Sequence, residues 1–137
     1  VHGRADESMN VAGRKVGPAE VEDAFIAHPS VSEAAVIGVP DEIKGEGIVA
    51  FLVLKHGATT TPEELSKHLV AYLGPTFRPN AVYIVQELPK TQSGKIVRRL
   101  IRAKYLGEPL GDSSTVANPA ALDAVTPISL ARRPEPA

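Results

Sequence analysis

The sequence predicts an α+β domain: a small, mainly antiparallel three-stranded sheet with an N-terminal hairpin, covered by three helices and followed by an extended C-terminal tail. Two observations predict the domain. Strand-like apolar runs stand at 31–39, 48–54 and 81–86, and segments with helical spacing, bounded by Gly and Pro, lie around them. A third predicts the tail, because after Gly107 the composition shifts to Pro, Ala, Ser, Thr and Asp.

Each element has its own reason. MNVAGRKV, residues 9–16, sets apolar residues around an Ala-Gly pair and reads as a short hairpin or tight turn. Gly17 and Pro18 open a helix whose Glu20, Glu22 and Asp23 suit the positive N-terminal end, while Val21, Ala24 and Phe25 share a face and Pro29 stops it. VSEAAVIGV, 31–39, is rich in β-branched residues, and IVAFLVL, 48–54, is an unbroken apolar run suited to a strand covered on both faces. PDEIKGEG between them is a polar turn. Thr61, Pro62 and Glu64 form a capping box, and Leu65, Leu69, Tyr72 and Leu73 supply the buried stripe of a helix that Gly74 and Pro75 end. AVYIVQ, 81–86, is the third strand. The loop from Leu88 to Gly94 leads into a last helix that buries Val97, Leu100, Ile101 and Tyr105 and turns its arginines outward. Prolines at 109, 119, 127, 134 and 136 make residues 108–137 extended or partly disordered, with one helical turn near 119–125. The domain proper is 1–107.

Composition bounds the function. The 137 residues are 43% apolar and 23% charged, as in a single globular domain, and the net charge of -1 does not point to nucleic acid or a membrane surface. Without cysteine there is no disulfide or thiolate metal site, and histidines 2, 28, 56 and 68 lack metal-ligand spacing, so no metal site is expected. No apolar run reaches membrane length and the first residues do not resemble a signal peptide, which gives a cytoplasmic reading. The charge is nevertheless uneven. Between Leu88 and Gly107 there is no acidic residue, whereas Lys90, Lys95, Arg98, Arg99, Arg102 and Lys104 are all basic.

Within that segment, PKTQSGKIVRR, residues 89–99, looks like a phosphate loop and is not one. Such a loop needs glycine five places before the Gly-Lys pair and a hydroxyl just after the lysine, where this chain has Pro89 and Ile96. What remains is a glycine-containing loop leading into a helix, with Lys95 at or near the first turn. A cation is misplaced there unless an anion arrives to meet it. The plain alternative is a solvated surface lysine, and Arg98, Arg99 and Arg102 are most simply solvated charges.

GRADESMNVAGRKVGPAEVE, residues 3–22, and LPKTQSGKIVRR, residues 88–99, resemble the two signature segments of the C-terminal domain of acyl-CoA synthetases in the adenylate-forming superfamily. The tail LGDSSTVANP makes the chain most similar to acetyl- and propionyl-CoA synthetases. The resemblance implies an AMP-forming ligase that activates a short-chain carboxylate with ATP and passes the acyl group to coenzyme A while this domain rotates between the two steps. It implies Lys95 as the catalytic cation of adenylation, Asp6 as the hinge, Arg4 and Lys15 as nucleotide contacts, and Ala12 and Gly13 as the place where the pantetheine arm of coenzyme A passes. Lys15 stands where the family carries an arginine, and lysine lacks the bidentate fork. Val70 stands where the closest members carry an arginine for the phosphates of coenzyme A, so the resemblance implies that this contact is either absent or supplied by another residue, with Arg78 as the candidate. The resemblance also implies that an N-terminal adenylating domain holds ATP and Mg2+, that this chain alone is inactive, and that an acetyltransferase and a deacetylase switch Lys95. The alternative from another class is a stand-alone anion-binding or interaction module built on a basic helix at 95–106.

Overall fold

A computed structural model describes residues 8–43, 45–109, 114 and 116–125, leaving aside the side chains of 123 and 124. Contacts divide the chain into two compact units, residues 1–85 and 86–137.

The first unit is built on one sheet. Strands β1 (Met9–Val11) and β2 (Arg14–Val16) form the N-terminal hairpin. Helix α1 (Pro18–Ile26) follows, with proline at its first position as expected. Long antiparallel strands β3 (Val31–Asp41) and β4 (Gly45–Leu54) come next, then helix α2 (Pro62–Leu73), a 3-10 turn (Pro75–Phe77) and strand β5 (Ala81–Ile84). Strand β4 is the hub: it pairs with β3 along its length, with β1 at Gly45, and in parallel with β5 from Val49 to Leu52. The α+β class and the mainly antiparallel sheet hold. The hairpin is not separate from the sheet, however, which therefore has five strands rather than three. The Val11–Gly45 pairing joins it, and Glu46 reinforces the joint by accepting the Asn10 N–H at 2.8 Å.

The expected turn at 40–47 is shorter than its composition suggested, because pairing continues to Asp41 and Gly45. Asp41 closes it by accepting the N–H of Ile43 through Oδ1 at 2.9 Å, the local bond that makes aspartate a turn residue. Val21, Ala24 and Phe25 of α1 and Leu65 and Leu69 of α2 pack with Val36, Ile48, Ala50 and Leu52 of the sheet. Val49 and Phe51, which alternation sends to the opposite face of β4, are buried as well, as an unbroken apolar run implies.

Three local expectations change. Thr61 caps α2 by accepting the Glu64 N–H at 3.1 Å, but the Glu64 carboxylate does not complete the reciprocal box. It lies 3.2 Å from His28 Nε2 instead, joining α2 to the end of α1. Tyr72, placed in the buried stripe, is 58% exposed, and its ring sits 5.8 Å from that of His68. Glu22, read as favouring a helix end, is buried and accepts the Val36 N–H of β3 at 2.9 Å.

The second unit holds helix α3 (Arg98–Leu106), closed by Gly107 in the left-handed region at φ 77°, and a 3-10 turn (Pro119–Ala124) where one helical turn was expected in the tail. Leu100, Ile101, Ala103 and Tyr105 are its buried residues. Val97 is the N-cap, outside the helix, and is only partly buried.

Candidate functional site

Lys95 does not stand at the first turn of a helix. Helix α3 starts three residues later, at Arg98, so the basic helix spans 98–106 and not 95–106. Residues 89–97 form a tight hairpin: Lys90 pairs with Ile96, the Thr91 N–H donates to the Lys95 carbonyl at 2.8 Å, and the Val97 N–H donates to the Pro89 carbonyl at 3.1 Å. Its tip is the turn Thr91–Gly94, closed by the Gly94 N–H on the Thr91 carbonyl at 2.9 Å. Gly94 has φ 91°, which a three-residue hairpin loop requires at this place and which only glycine adopts without strain. The Thr91 hydroxyl accepts the Lys95 N–H at 3.1 Å and lies 3.0 Å from the Ser93 hydroxyl.

The backbone of Lys95 is therefore held through both its N–H and its carbonyl, while its side chain stands in the exposed class. An exposed cation thus rises from a hydrogen-bonded base. Such an arrangement can place positive charge against an anion that comes to it, and the anchored base limits the ordering needed when it does.

A short segment, Val116–Asn118, backs the hairpin. Thr91 pairs with Val116, and the Ala117 N–H donates to the Lys90 carbonyl at 2.8 Å. Asn118 accepts the Lys90 N–H at 2.8 Å and donates through Nδ2 to the Leu88 carbonyl at 2.9 Å and to Glu87 at 3.4 Å. Val116 and Leu122 pack on Leu100, and Lys104 of α3 donates to the Leu122 carbonyl at 2.8 Å. Lys104 thus ties the chain down and is not one more solvated charge on a helix face.

The first unit carries the other expected residues. Ala12 and Gly13 are the exposed tip of the β1–β2 hairpin, at φ 53° and φ 85°, a pair of left-handed residues of the kind that two-residue hairpin turns demand. Ala12 is the one non-glycine residue in that region among those described, and left-handed backbone costs an L-residue about 1–2 kcal/mol. A Cβ added at Gly13 meets nothing within 4 Å, so its missing side chain leaves open space beside the turn. Lys15 is exposed on β2 and Arg78 is exposed just after the 3-10 turn. Arg14, which sequence reasoning did not single out, brings these segments together: its guanidinium lies 5.7 Å over the ring of Phe77, the neighbour of Arg78. Nothing local in the sequence signals a contact between residues so far apart in the chain. Arg4 and Asp6 lie outside the described residues. Among the described residues no group of three or more His, Asp or Glu is placed to hold a metal ion, and no helix is long and apolar enough to cross a membrane.

The sequence model of one protein family, described as the AMP-binding enzyme C-terminal domain, matches residues 20–95, more than half of the chain. The chain belongs to this family. It is similar to acetyl-coenzyme A synthetase of Methanothrix thermoacetophila, 50% identical over 126 residues that make up 90% of this chain and 19% of that relative. It is also similar to 3-hydroxypropionyl-coenzyme A synthetase of Metallosphaera sedula, 44% identical over 91% of this chain and 19% of the relative. Among solved structures, an acyl-CoA synthetase of Brucella canis shares the fold with a TM-score of 0.65 and 45% identity, covering 72% of this chain and 19% of that one. This member of the AMP-binding C-terminal domain family spans about a fifth of the length of the curated relatives it matches.

Proposed function

We infer that the chain acts as the mobile C-terminal domain of an AMP-forming acyl-CoA synthetase whose substrate is a short-chain carboxylate, acetate or a close homologue. The observation that carries this reading is the exposed Lys95 on a backbone-anchored hairpin, in a chain about half identical to acetyl-coenzyme A synthetases. In the first half-reaction a carboxylate oxygen attacks the α-phosphorus of ATP and pyrophosphate leaves. Two anions meet at that step, and the Lys95 ammonium stabilises the charge that gathers on the pentavalent centre. The role is electrostatic and requires no proton transfer. An N-terminal adenylating domain supplies the pocket for ATP and its Mg2+, with Arg4 and Lys15 reaching the nucleotide.

Rotation about Asp6 then brings the β1–β2 hairpin to the same place. The thiol of coenzyme A attacks the acyl carbonyl of the adenylate and AMP leaves. The pantetheine arm passes the open space beside Ala12 and Gly13, and Arg78 takes a phosphate of coenzyme A. Acetylation of Lys95 by an acetyltransferase removes its charge and silences adenylation, and a deacetylase restores it.

The test separates the half-reactions in the full-length ligase. Lys95→Ala is expected to lower adenylation, followed as ATP–pyrophosphate exchange, by about a thousandfold, the effect of one lost electrostatic stabiliser. Thioester formation from supplied acyl-adenylate should stay within about twofold. Equal loss in both steps would show that the lysine is structural and defeat the reading.

A further inference from the structure

We propose that Asn118 is a positioning residue for Lys95, and that the segment Val116–Asn118 is part of the machinery that presents this lysine rather than a passive tail. The proposal rests on the reading of Lys95 given above, but its geometry stands independently.

The hairpin by itself is a weak platform. It has one bridge at Lys90–Ile96, a short turn and few bonds, and an isolated two-stranded hairpin is marginal in water. What stiffens it comes from more than twenty residues downstream. On the outer edge of the first arm, both backbone groups of Lys90 are taken: its carbonyl by the Ala117 N–H and its N–H by Asn118 Oδ1, each at 2.8 Å. The Asn118 amide also donates to the Leu88 carbonyl at 2.9 Å. One side chain therefore supplies an acceptor and a donor to residues 90 and 88, doing for the edge what a further strand residue does with its backbone. Asparagine carries both functions on one planar group, whereas aspartate keeps only the acceptor and leucine neither.

The link to Lys95 is short. Lys90 is clamped by residues 117 and 118 on one side and pairs with Ile96, the neighbour of Lys95, on the other. Thr91, next along the arm, pairs with Val116, and it bonds Lys95 through both its N–H and its hydroxyl. The segment Val116–Asn118 is anchored in turn by Val116 and Leu122 against Leu100 and by the bond from Lys104 to Leu122. Loss of Asn118 frees the arm against which the Lys95 arm is registered, and displacement of a catalytic group by about an ångström can cost up to a hundredfold in rate.

Hydrogen exchange on the chain and half-reaction kinetics in the full-length ligase test this together. Asn118→Ala should speed exchange at the Thr91 and Val97 amides by at least about tenfold, because local opening becomes easier, and leave the Val85 amide unchanged. It should lower kcat of adenylation by about tenfold or more, keep KM within about twofold, and leave thioester formation nearly untouched. Asn118→Asp preserves the acceptor for the Lys90 N–H but turns an oxygen toward the Leu88 carbonyl and the Glu87 carboxylate, so it should recover only part of the adenylation rate alone and more of it combined with Glu87→Gln, the pair serving if the alanine variant folds poorly. Unchanged exchange at Thr91 and Val97, or equal loss in both half-reactions, would overturn the proposal. If Asn118→Ala loosens the hairpin while Lys95→Ala leaves adenylation intact, the positioning stands and the reading of Lys95 fails. If Lys95→Ala abolishes adenylation and Asn118→Ala alters neither exchange nor rate, the reverse holds.

Discussion

Replacing Glu22 tests whether a buried carboxylate governs the edge of the sheet. Strand β3 has β4 as its only ladder partner among the described strands, so its other side is an edge with N–H groups to satisfy. Glu22 reaches from α1 and accepts the Val36 N–H at 2.9 Å, at a site where the carboxylate residue is 6% exposed. In Glu22→Ala that N–H loses its partner, and a buried hydrogen bond to a charged group contributes about 1.5–3 kcal/mol. The cavity left by the truncated side chain adds about 1 kcal/mol, and relief from burying a charge gives some back. We expect a net loss of about 2–3 kcal/mol, which for a chain of this size lowers Tm by roughly 8–12 °C. Glu22→Gln keeps an acceptor oxygen and should lose about 1 kcal/mol or less. Urea denaturation followed by far-UV circular dichroism measures both, and hydrogen exchange at the Val36 amide reports the bond itself. A loss below about 0.5 kcal/mol for the alanine variant, or equal losses for alanine and glutamine, would refute the reasoning.

Two further outcomes follow from close approaches. A Cβ on Gly47 would come within 2.5 Å of Asn80 Cγ, and the Asn80 amide donates to Asp41 at 2.8 Å, so Gly47→Ala should cost about 1–3 kcal/mol by driving that side chain out. Adding Asn80→Ala should remove most of that cost, and simple additivity in the double-mutant cycle would contradict the clash. Gly13→Asn keeps a residue tolerant of positive φ at the hairpin tip, so Tm should fall by only a few degrees. Thioester formation should nevertheless drop by about tenfold or more while adenylation persists, because a side chain then occupies the path proposed above for the pantetheine arm. Loss of adenylation instead, or unaltered thioester formation, would count against the role given to this turn.

How much of this was legible in the sequence depended on whether the signal was local. Helix α2 is written at both ends, by Thr61-Pro62 and by Gly74-Pro75, and its bounds are close to those expected. The apolar run of β4 announced a strand buried on both faces. Helix α3 starts three residues later than the sequence predicts because Gly94-Lys95 looks like a loop opening a helix; the residues instead return along a hairpin whose pairing to Lys90 is invisible to helical periodicity. Glu22 could not be recognised as a buried ligand of Val36, since its burial is fixed by β3, fourteen residues on. Glu64 followed the capping rule with its backbone and broke it with its side chain, drawn to His28. The hydroxyl of Thr91, the clamp at Asn118 and the stacking of Arg14 on Phe77 belong to the same class. Each depends on segments brought together by the fold, and of the site only the identity of Lys95 and the turn glycines could be read locally.

The bonds that the Lys95 hairpin receives from residues 116–118 also have an order in time during synthesis. A ribosome completes Lys95 and all of α3 before it adds Val116, Asn118 and Leu122, and at roughly 5–20 residues per second that interval lasts one to several seconds. Until those residues emerge, the lysine sits on an unbacked two-stranded turn. The growing chain therefore exposes Lys95 before the hydrogen bonds that back its hairpin can form, and the hairpin gains them only when residues 116–122 fold back onto it.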